Sequence, residues 1–435
     1  MAKTEIKATP LFRENGSSVK YLSIAIALIS LLIPIIIVFI LNSYYVKYIT
    51  LYNTVFCSGV ALVLGIVGFE RLRVFPGLIS GSYIFISLST SFATIATLLL
   101  LLRIEYSGVQ LLFTYTVSVG LYTYFHQKVI IRHRMRVGVV PSFTTKRLPN
   151  LENIEWIDLK LCGPSGFIIS DMVDIVVTDL HADHSDEWDE QITRIVMSGT
   201  PVYHYKQILE QKTGRVEIKH LSENNLGSLN PNDFYLKFKS FIDVIISAML
   251  LTLLSPVILI IAAIVKLESP GPALFRQTRV GYRMRPFTLY KIRTMHAAQP
   301  TSGPSSHDAR QAAMTKVGDP RITQLGRFLR TSRLDELPQL INIVKGEMSL
   351  IGPRPEALAL SEWYENEIPF YHYRHIIKPG VTGWAQVNQG HVIDLDDTVE
   401  KLHLDFYYVK NFSFWLDLLI FLKTIKTMVT GRGAH

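Results

Sequence analysis

The stretch SRLDELPQL, residues 332–340, sets two carboxylates, Asp335 and Glu336, side by side just ahead of Pro338. Such a pair is either the charged opening turn of a helix or a reactive dyad. Twelve basic residues lie between Arg276 and Arg333, against only Asp308 and Asp319 as acids. A field of that sign draws anions to whatever it surrounds. Lys291, Arg293, Arg330 and Arg333 belong to it and are candidate phosphate ligands. A fifth candidate, Arg354, sits in MSLIGPRP between prolines that fix its backbone and aim its planar fork, which suits a phosphate or simply builds a rigid turn.

The carboxylates need an element to hold them. Over residues 334–345 the spacing of Leu334, Leu337, Ile341 and Val344 predicts one helical stripe, with Gly346 as terminator. Pro338 fits only in the first turn, where its missing amide would be unpaired anyway. Asp335 and Glu336 are then first-turn residues off the buried stripe, favoured there by the macrodipole by about 0.3–1 kcal/mol. The same helix end offers free amides to a phosphate. A carboxylate attacking phosphorus also needs nearby cations, which Arg330 and Arg333 supply. Further on, KPGVTGWAQVNQG at residues 378–390 combines a cation, glycine turns and an indole that could line a nucleotide pocket or build a loop.

A balance of 49% hydrophobic against 18% charged residues in a chain of 435 is that of a membrane protein with two or three domains. Four apolar stretches, residues 21–41, 51–69, 78–102 and 109–125, each come near the ~20 residues that cross a bilayer as a helix. Basic residues flank them on one side: Lys3, Lys7, Arg13 and Lys20 before the first, Arg71 and Arg73 after the second, Lys128, Arg132, Arg134 and Arg136 after the fourth. That asymmetry puts both ends of the unit in the cytoplasm. The first stretch is too long for a cleavable signal peptide, and Cys57 and Cys162 alone support neither a disulfide framework nor a zinc site.

The next hundred residues alternate strand-like runs, DIVVT at 174–178 and GTPVYHY at 199–205, with an amphipathic stretch at 188–196, as in a small α/β domain. GPSG at 163–166 is no dinucleotide fingerprint. In DLHADHSD, residues 179–186, His181, Asp183, His184 and Asp186 match no established metal spacing, so a solvated acidic loop is expected. A fifth apolar stretch, 241–265, carries Ser255-Pro256 at its centre, where a sharp kink is expected. Spanning and re-entry both satisfy bilayer physics. Lys237, Lys239 and Lys266 at its two ends favour a segment that enters and returns to one anionic cytoplasmic surface. The net charge of +8 also suits nucleic acid, but no nucleic-acid module is recognisable.

Several blocks in order now carry a resemblance: KSFIDVIISAMLLTLLSPVILIIAAIVKLESPGPALFRQTRVG, FTLYKIRTM, RTSRLDELPQLINIVKGEMSLIGPRP and KPGVTGWAQVNQ. From about residue 239 onward the chain resembles the bacterial sugar transferases, the monotopic phosphoglycosyl transferases that load a polyprenyl phosphate with a sugar phosphate. The front part resembles the large subclass in layout. The resemblance implies a membrane α plus α/β architecture: residues 1–136 as four transmembrane helices, 137–235 as a cytoplasmic α/β domain, and 236–435 as a mainly α-helical catalytic domain on a kinked re-entrant helix, 241–266. It implies an inner-membrane enzyme that moves hexose 1-phosphate from a UDP-hexose, with glucose or galactose as the usual donors and an N-acetylated sugar left open, to undecaprenyl phosphate for exopolysaccharide, capsule or O-antigen synthesis. Asp335 would be the nucleophile and Glu336 its helper, activating the lipid phosphate or holding Mg²⁺ with it. Arg330 and Arg354 would hold phosphates, and Ser255-Pro256 would break the membrane helix. Arg333, where many relatives carry a small or polar residue, is left a supporting electrostatic role. A homo-oligomer is compatible with all of this.

Two other readings stay open at this stage. Asp394-Leu395-Asp396 could serve a DxD-type glycosyltransferase, which would release UDP where phosphoglycosyl transfer releases UMP. A non-catalytic scaffold for polysaccharide assembly would use the basic region for lipid headgroups. The run 412–429 is expected either as an interfacial amphipathic helix or as packed core.

Overall fold

The computed structural model describes residues 17–41, 48–72, 75, 82–125, 135–142, 148–149, 151, 154–160, 173–217, 231, 233–296, 321–389 and 395–430. GPSG, Cys162, Arg310, Lys316 and Asp394 lie outside them. The chain divides into two compact units, Met1–Gly214 and Arg215–His435.

In the first unit the four apolar stretches form helices α1 (Ser17–Leu41), α2 (Tyr48–Leu72), α3 (Ser82–Leu101) and α4 (Gly108–Phe125). After them comes a four-stranded sheet of order β2-β1-β3-β4, all parallel: β1 (Met135–Val139), β2 (Ile154–Asp158), β3 (Ile175–Thr178) and β4 (Val202–His204). Helices α5 (Asp186–Met197) and α6 (Tyr205–Thr213) contribute to two different cores. Ile208 of α6 joins Val137, Val139, Ile175 and Val177, whereas Trp188 and Ile195 of α5 join Val140, Val173 and Val176. Adjacent valines in one strand therefore serve different cores, which is why these strands read as continuous apolar runs.

The second unit opens with α7 (Asp233–Glu268), a helix of 36 residues with Pro256 inside it. Proline removes the amide that would bond the Thr252 carbonyl, and the Ser255 hydroxyl supplies a donor to that carbonyl at 2.9 Å. Ser-Pro thus satisfies the break it creates. Among the described residues three helical stretches are long and apolar enough to cross a membrane: Ile49–Leu72, Tyr83–Leu101 and Asp233–Glu268.

An antiparallel hairpin of β5 (Leu274–Val280) and β6 (Pro286–Ile292) follows. Then come α8 (Gln324–Thr331), a 3₁₀ turn at Leu334–Glu336, α9 (Gln339–Val344), β7 (Ser349–Ile351) and α10 (Leu358–Glu367). After a 3₁₀ segment at Tyr371–Ile376, β8 (Gly380–Thr382) lies parallel to β7, and α11 (Trp384–Asn388), α12 (Leu395–Lys410) and α13 (Phe414–Thr430) complete the unit. Phe287 and Leu289 of β6, Leu340 and Ile343 of α9 and Met348 form a core against Leu250, Leu251 and Leu254 of α7.

The predicted helix over 334–345 differs in two ways. It is split: Arg333, in a left-handed conformation (φ 56°), precedes a 3₁₀ turn at Leu334–Glu336, and α9 begins only at Gln339, after Pro338. Its buried side is also not the expected stripe: Asp335, Glu336, Gln339, Leu340, Asn342 and Ile343 are buried, while Val344 is 38% exposed. The reason is polar. Asn342 accepts from the Tyr290 amide (3.1 Å) and donates to the Thr288 carbonyl (2.7 Å), completing the free edge of β6, so a polar residue takes the innermost position. Lys239 departs from expectation too. It is buried, with ammonium contacts to Asp243 and Asp417, and does not face lipid headgroups.

Candidate active site

The 3₁₀ turn carries both carboxylates into the domain, where Asp335 is 8% and Glu336 7% exposed. Burial alone raises the pKa of both, and what surrounds each then separates them. Lys291, at the end of β6, donates to Glu336 Oε1 at 3.0 Å, and Arg354 donates to the same oxygen at 2.9 Å. Although burial pushes it up, this pair of cations holds the Glu336 carboxyl well below the usual glutamate range. Asp335 makes no side-chain hydrogen bond or ion pair with any described residue. Burial and then the charge of Glu336 push its carboxyl up, against the opposing pull of Lys291, Arg354 and Arg330. Two neighbours of like chemistry have become unlike: one clamped anion, and one carboxylate with uncommitted oxygens.

The cations are themselves held in place. Arg330, in the last turn of α8, donates from Nε to Thr294 Oγ1 at 2.8 Å. The GPRP turn is tied by its carbonyls, since Arg374 Nη2 donates to the Arg354 carbonyl and Arg279 Nη1 to the Pro355 carbonyl, each at 3.0 Å. Arg374 is fixed in turn by Asp405 of α12 at 2.7 Å, both nearly inaccessible. Glu356 lies among Arg279, Arg374 and Lys401. Nothing local marks Thr294, Glu356, Arg374 and Asp405, and Arg279 stands out only as one cation of the basic field, because their partners lie 18 to 77 residues away along the chain.

The expected phosphate ligands do not all gather here. Lys291 and Arg354 meet at Glu336, and Arg330 is close enough to act on Asp335. Arg333 is half-buried in its left-handed turn. Arg293 is engaged elsewhere, donating to the Pro270 carbonyl (2.7 Å) and to the Ser269 carbonyl (2.6 Å) and hydroxyl (2.9 Å), where it caps the end of α7.

KPGVTGWAQVNQ is architectural. A Cβ at Gly380 would lie 2.1 Å from the Gly352 nitrogen, so glycine is what lets β8 cross the start of GPRP. Trp384 is buried, stacked on Tyr407 at 5.6 Å and covered by the Lys423 ammonium at 4.4 Å. The DLHADHSD loop closes on itself: His184 Nε2 lies 2.8 Å from the Asp179 carbonyl, and His204 Nε2 lies 3.3 Å from Asp179 Oδ1. Among the described residues no three His, Cys, Asp or Glu side chains form a metal-holding group. In α13, Leu416, Leu419 and Ile420 are fully buried while Phe421, Ile425 and Met428 are exposed, so the helix has both a core face and an apolar outer face.

The family model for the bacterial sugar transferases matches residues 234–431. A UDP-N-acetylgalactosamine-undecaprenyl-phosphate N-acetylgalactosaminephosphotransferase of Aeromonas hydrophila is 41% identical over 388 residues, 88% of each chain. A UDP-glucose:undecaprenyl-phosphate glucose-1-phosphate transferase of Caulobacter vibrioides is 41% identical over 199 residues, 45% of this chain and 72% of that one. An exopolysaccharide production protein of Rhizobium leguminosarum bv. phaseoli is 38% identical over 204 residues, 46% of this chain and 98% of its own.

Proposed function

The chain belongs to the bacterial sugar transferase family, and from that premise we propose that it transfers a sugar 1-phosphate from a UDP-sugar to undecaprenyl phosphate, releasing UMP. The observation that carries this reading is the division within the dyad: Glu336 is spent on Lys291 and Arg354, whereas the Asp335 oxygens have no hydrogen-bond or ion-pair partner among the described residues. In the first half-reaction an Asp335 oxygen attacks the β-phosphorus of the donor. The bond from that phosphorus to the bridging oxygen breaks, and UMP leaves with the oxygen. The sugar phosphate stays on Asp335 as an acyl phosphate. In the second half-reaction a phosphate oxygen of the lipid attacks the same phosphorus, the acyl phosphate bond breaks, and the carboxylate is restored. Arg330 and Arg354 neutralise the approach of one anion to another.

The residues present fit magnesium. Glu336 Oε1 accepts from two cations, while its second carboxylate oxygen and those of Asp335 have no hydrogen-bond partner among the described residues. One or two carboxylates completed by substrate phosphates is the usual setting for this ion, and when bound it would neutralise diphosphate charge.

The donor class follows the relative aligned over 88% of both chains, so N-acetylgalactosamine, within the N-acetylated class the resemblance leaves open, ranks ahead of glucose and galactose. Membrane placement follows the apolar helices and the positive-inside count: α1–α4 crossing, the transferase unit on the cytoplasmic face of the inner membrane, and α7 entering and returning around Ser255-Pro256. Exopolysaccharide or O-antigen initiation is the pathway class. A DxD glycosyltransferase is not favoured, since the named relatives are sugar phosphotransferases or an exopolysaccharide protein. The test is to incubate membranes holding the protein with undecaprenyl phosphate and a panel of UDP-sugars. Stoichiometric UMP is expected, and UDP as the product would overturn the reading.

A further inference from the structure

An apolar helix in lipid has no hydrophobic reason to choose one rotation about its axis, because lipid and side chains are equally apolar. Something polar must choose for α7. Its buried residues in the first half are Lys239, Asp243 and Ser247, spaced four apart and hence on one stripe. Lys239 Nζ lies 3.3 Å from Asp243 Oδ2 and 3.1 Å from Asp417 Oδ2 on α13. Tyr235 donates to Asp417 Oδ2 at 2.6 Å. The Tyr408 hydroxyl, from α12, lies 2.6 Å from Asp417 Oδ1 and 3.1 Å from the Ile351 carbonyl. Ser349 is hydrogen-bonded to Asp243, and its hydroxyl lies 3.0 Å from that same carbonyl. Ser349 and Ile351 are the two ends of β7, and Arg354 follows three residues later. One buried cation and two carboxylates therefore tie the membrane helix, two soluble helices and the strand that delivers Arg354.

We propose that Lys239, Asp243 and Asp417 form a positioning node that sets the rotation of α7 and the seat of β7, and thereby holds Arg354 against Glu336. The role given to Arg354 rests on the phosphoglycosyl transfer reading above. The node touches no substrate. Its effect on turnover runs through Arg354, so losing the node and losing Arg354 must not add.

The experiment uses the full chain in membranes and measures UMP release for wild type, Lys239→Met, Lys239→Arg, Arg354→Ala and the double variant Lys239→Met with Arg354→Ala. Lys239→Met is expected to lower kcat by about tenfold or more with little change in the KM for the UDP-sugar, as a displaced positioning group does. Lys239→Arg, which keeps the cation, should recover much of the loss. The double variant should be no slower than Arg354→Ala alone. If Lys239→Met does not accumulate, Ser349→Ala, which deletes only the hydroxyl between Asp243 and β7, carries the same cycle. Multiplicative losses, or full activity in Lys239→Met, would overturn the node while leaving the transferase reading intact. No UMP from wild type with any donor would overturn the transferase reading and the node's role together.

Discussion

At the scale of the residue, unequal surroundings make Asp335 and Glu336 unequal. Asp335→Asn removes the proposed nucleophile, so UMP release should fall by at least about 10³-fold and no phosphosugar adduct should appear in the intact mass of enzyme exposed to donor alone. The pH dependence has a definite sign. The active form of Asp335 is the carboxylate, so activity rises with pH through a pKa that burial and Glu336 have raised above the ordinary value. Glu336→Gln deletes the neighbouring negative charge and frees Lys291 and Arg354 to act on Asp335. The acid limb of the residual kcat/KM profile should therefore move to lower pH, and an unmoved limb would dissociate it from Asp335. This asymmetry was not legible in SRLDELPQL, because Lys291 reaches the pair from 45 residues upstream and Arg354 from 18 residues downstream of Glu336.

At the scale of the element, two polar residues do what apolar periodicity could not anticipate. Asn342 is fully buried and pairs the edge of β6. Asn342→Ala would strand a buried amide and carbonyl, so stability should drop by about 2–3 kcal/mol, read as a lowered unfolding midpoint of the purified protein. In α7, Pro256→Ala restores the amide that the Thr252 carbonyl lacks and favours a straight, spanning helix. A cysteine introduced at exposed Leu267 should be labelled only from the cytoplasmic side in the Pro256 protein, and partly from the outer side in the alanine variant. Labelling that ignores the substitution would count against re-entry. The helix over 334–345 was legible as a helix but not in its split or its buried face. The Asn342 contacts depend on backbone that only the folded hairpin supplies.

At the scale of the whole molecule, Arg215–His435 is a compact unit and the family match falls within it. A relative that aligns over 98% of its own length matches only 46% of this chain. A protein comprising residues 215–435 should thus retain UMP release in membranes, and complete loss would assign the first unit a part in catalysis. The Aeromonas relative, by contrast, aligns over 88% of both chains, so its similarity extends into the front unit.

The sequence by itself determined the apolar helices, the alternation of strands and helices in the small α/β domain and the basic field, and it marked Asp335-Glu336 as a candidate pair, because each is written in local composition or in spacing within one element. Only the tertiary structure decided which cations meet Glu336, that Asp335 has no side-chain partner among the described residues, that Arg293 caps a helix instead of joining them, and that Lys239 faces Asp417 instead of lipid. These depend on side chains far apart in the chain arriving at one buried point, where partner and desolvation fix the chemistry, and neither is encoded in the neighbourhood of any single residue.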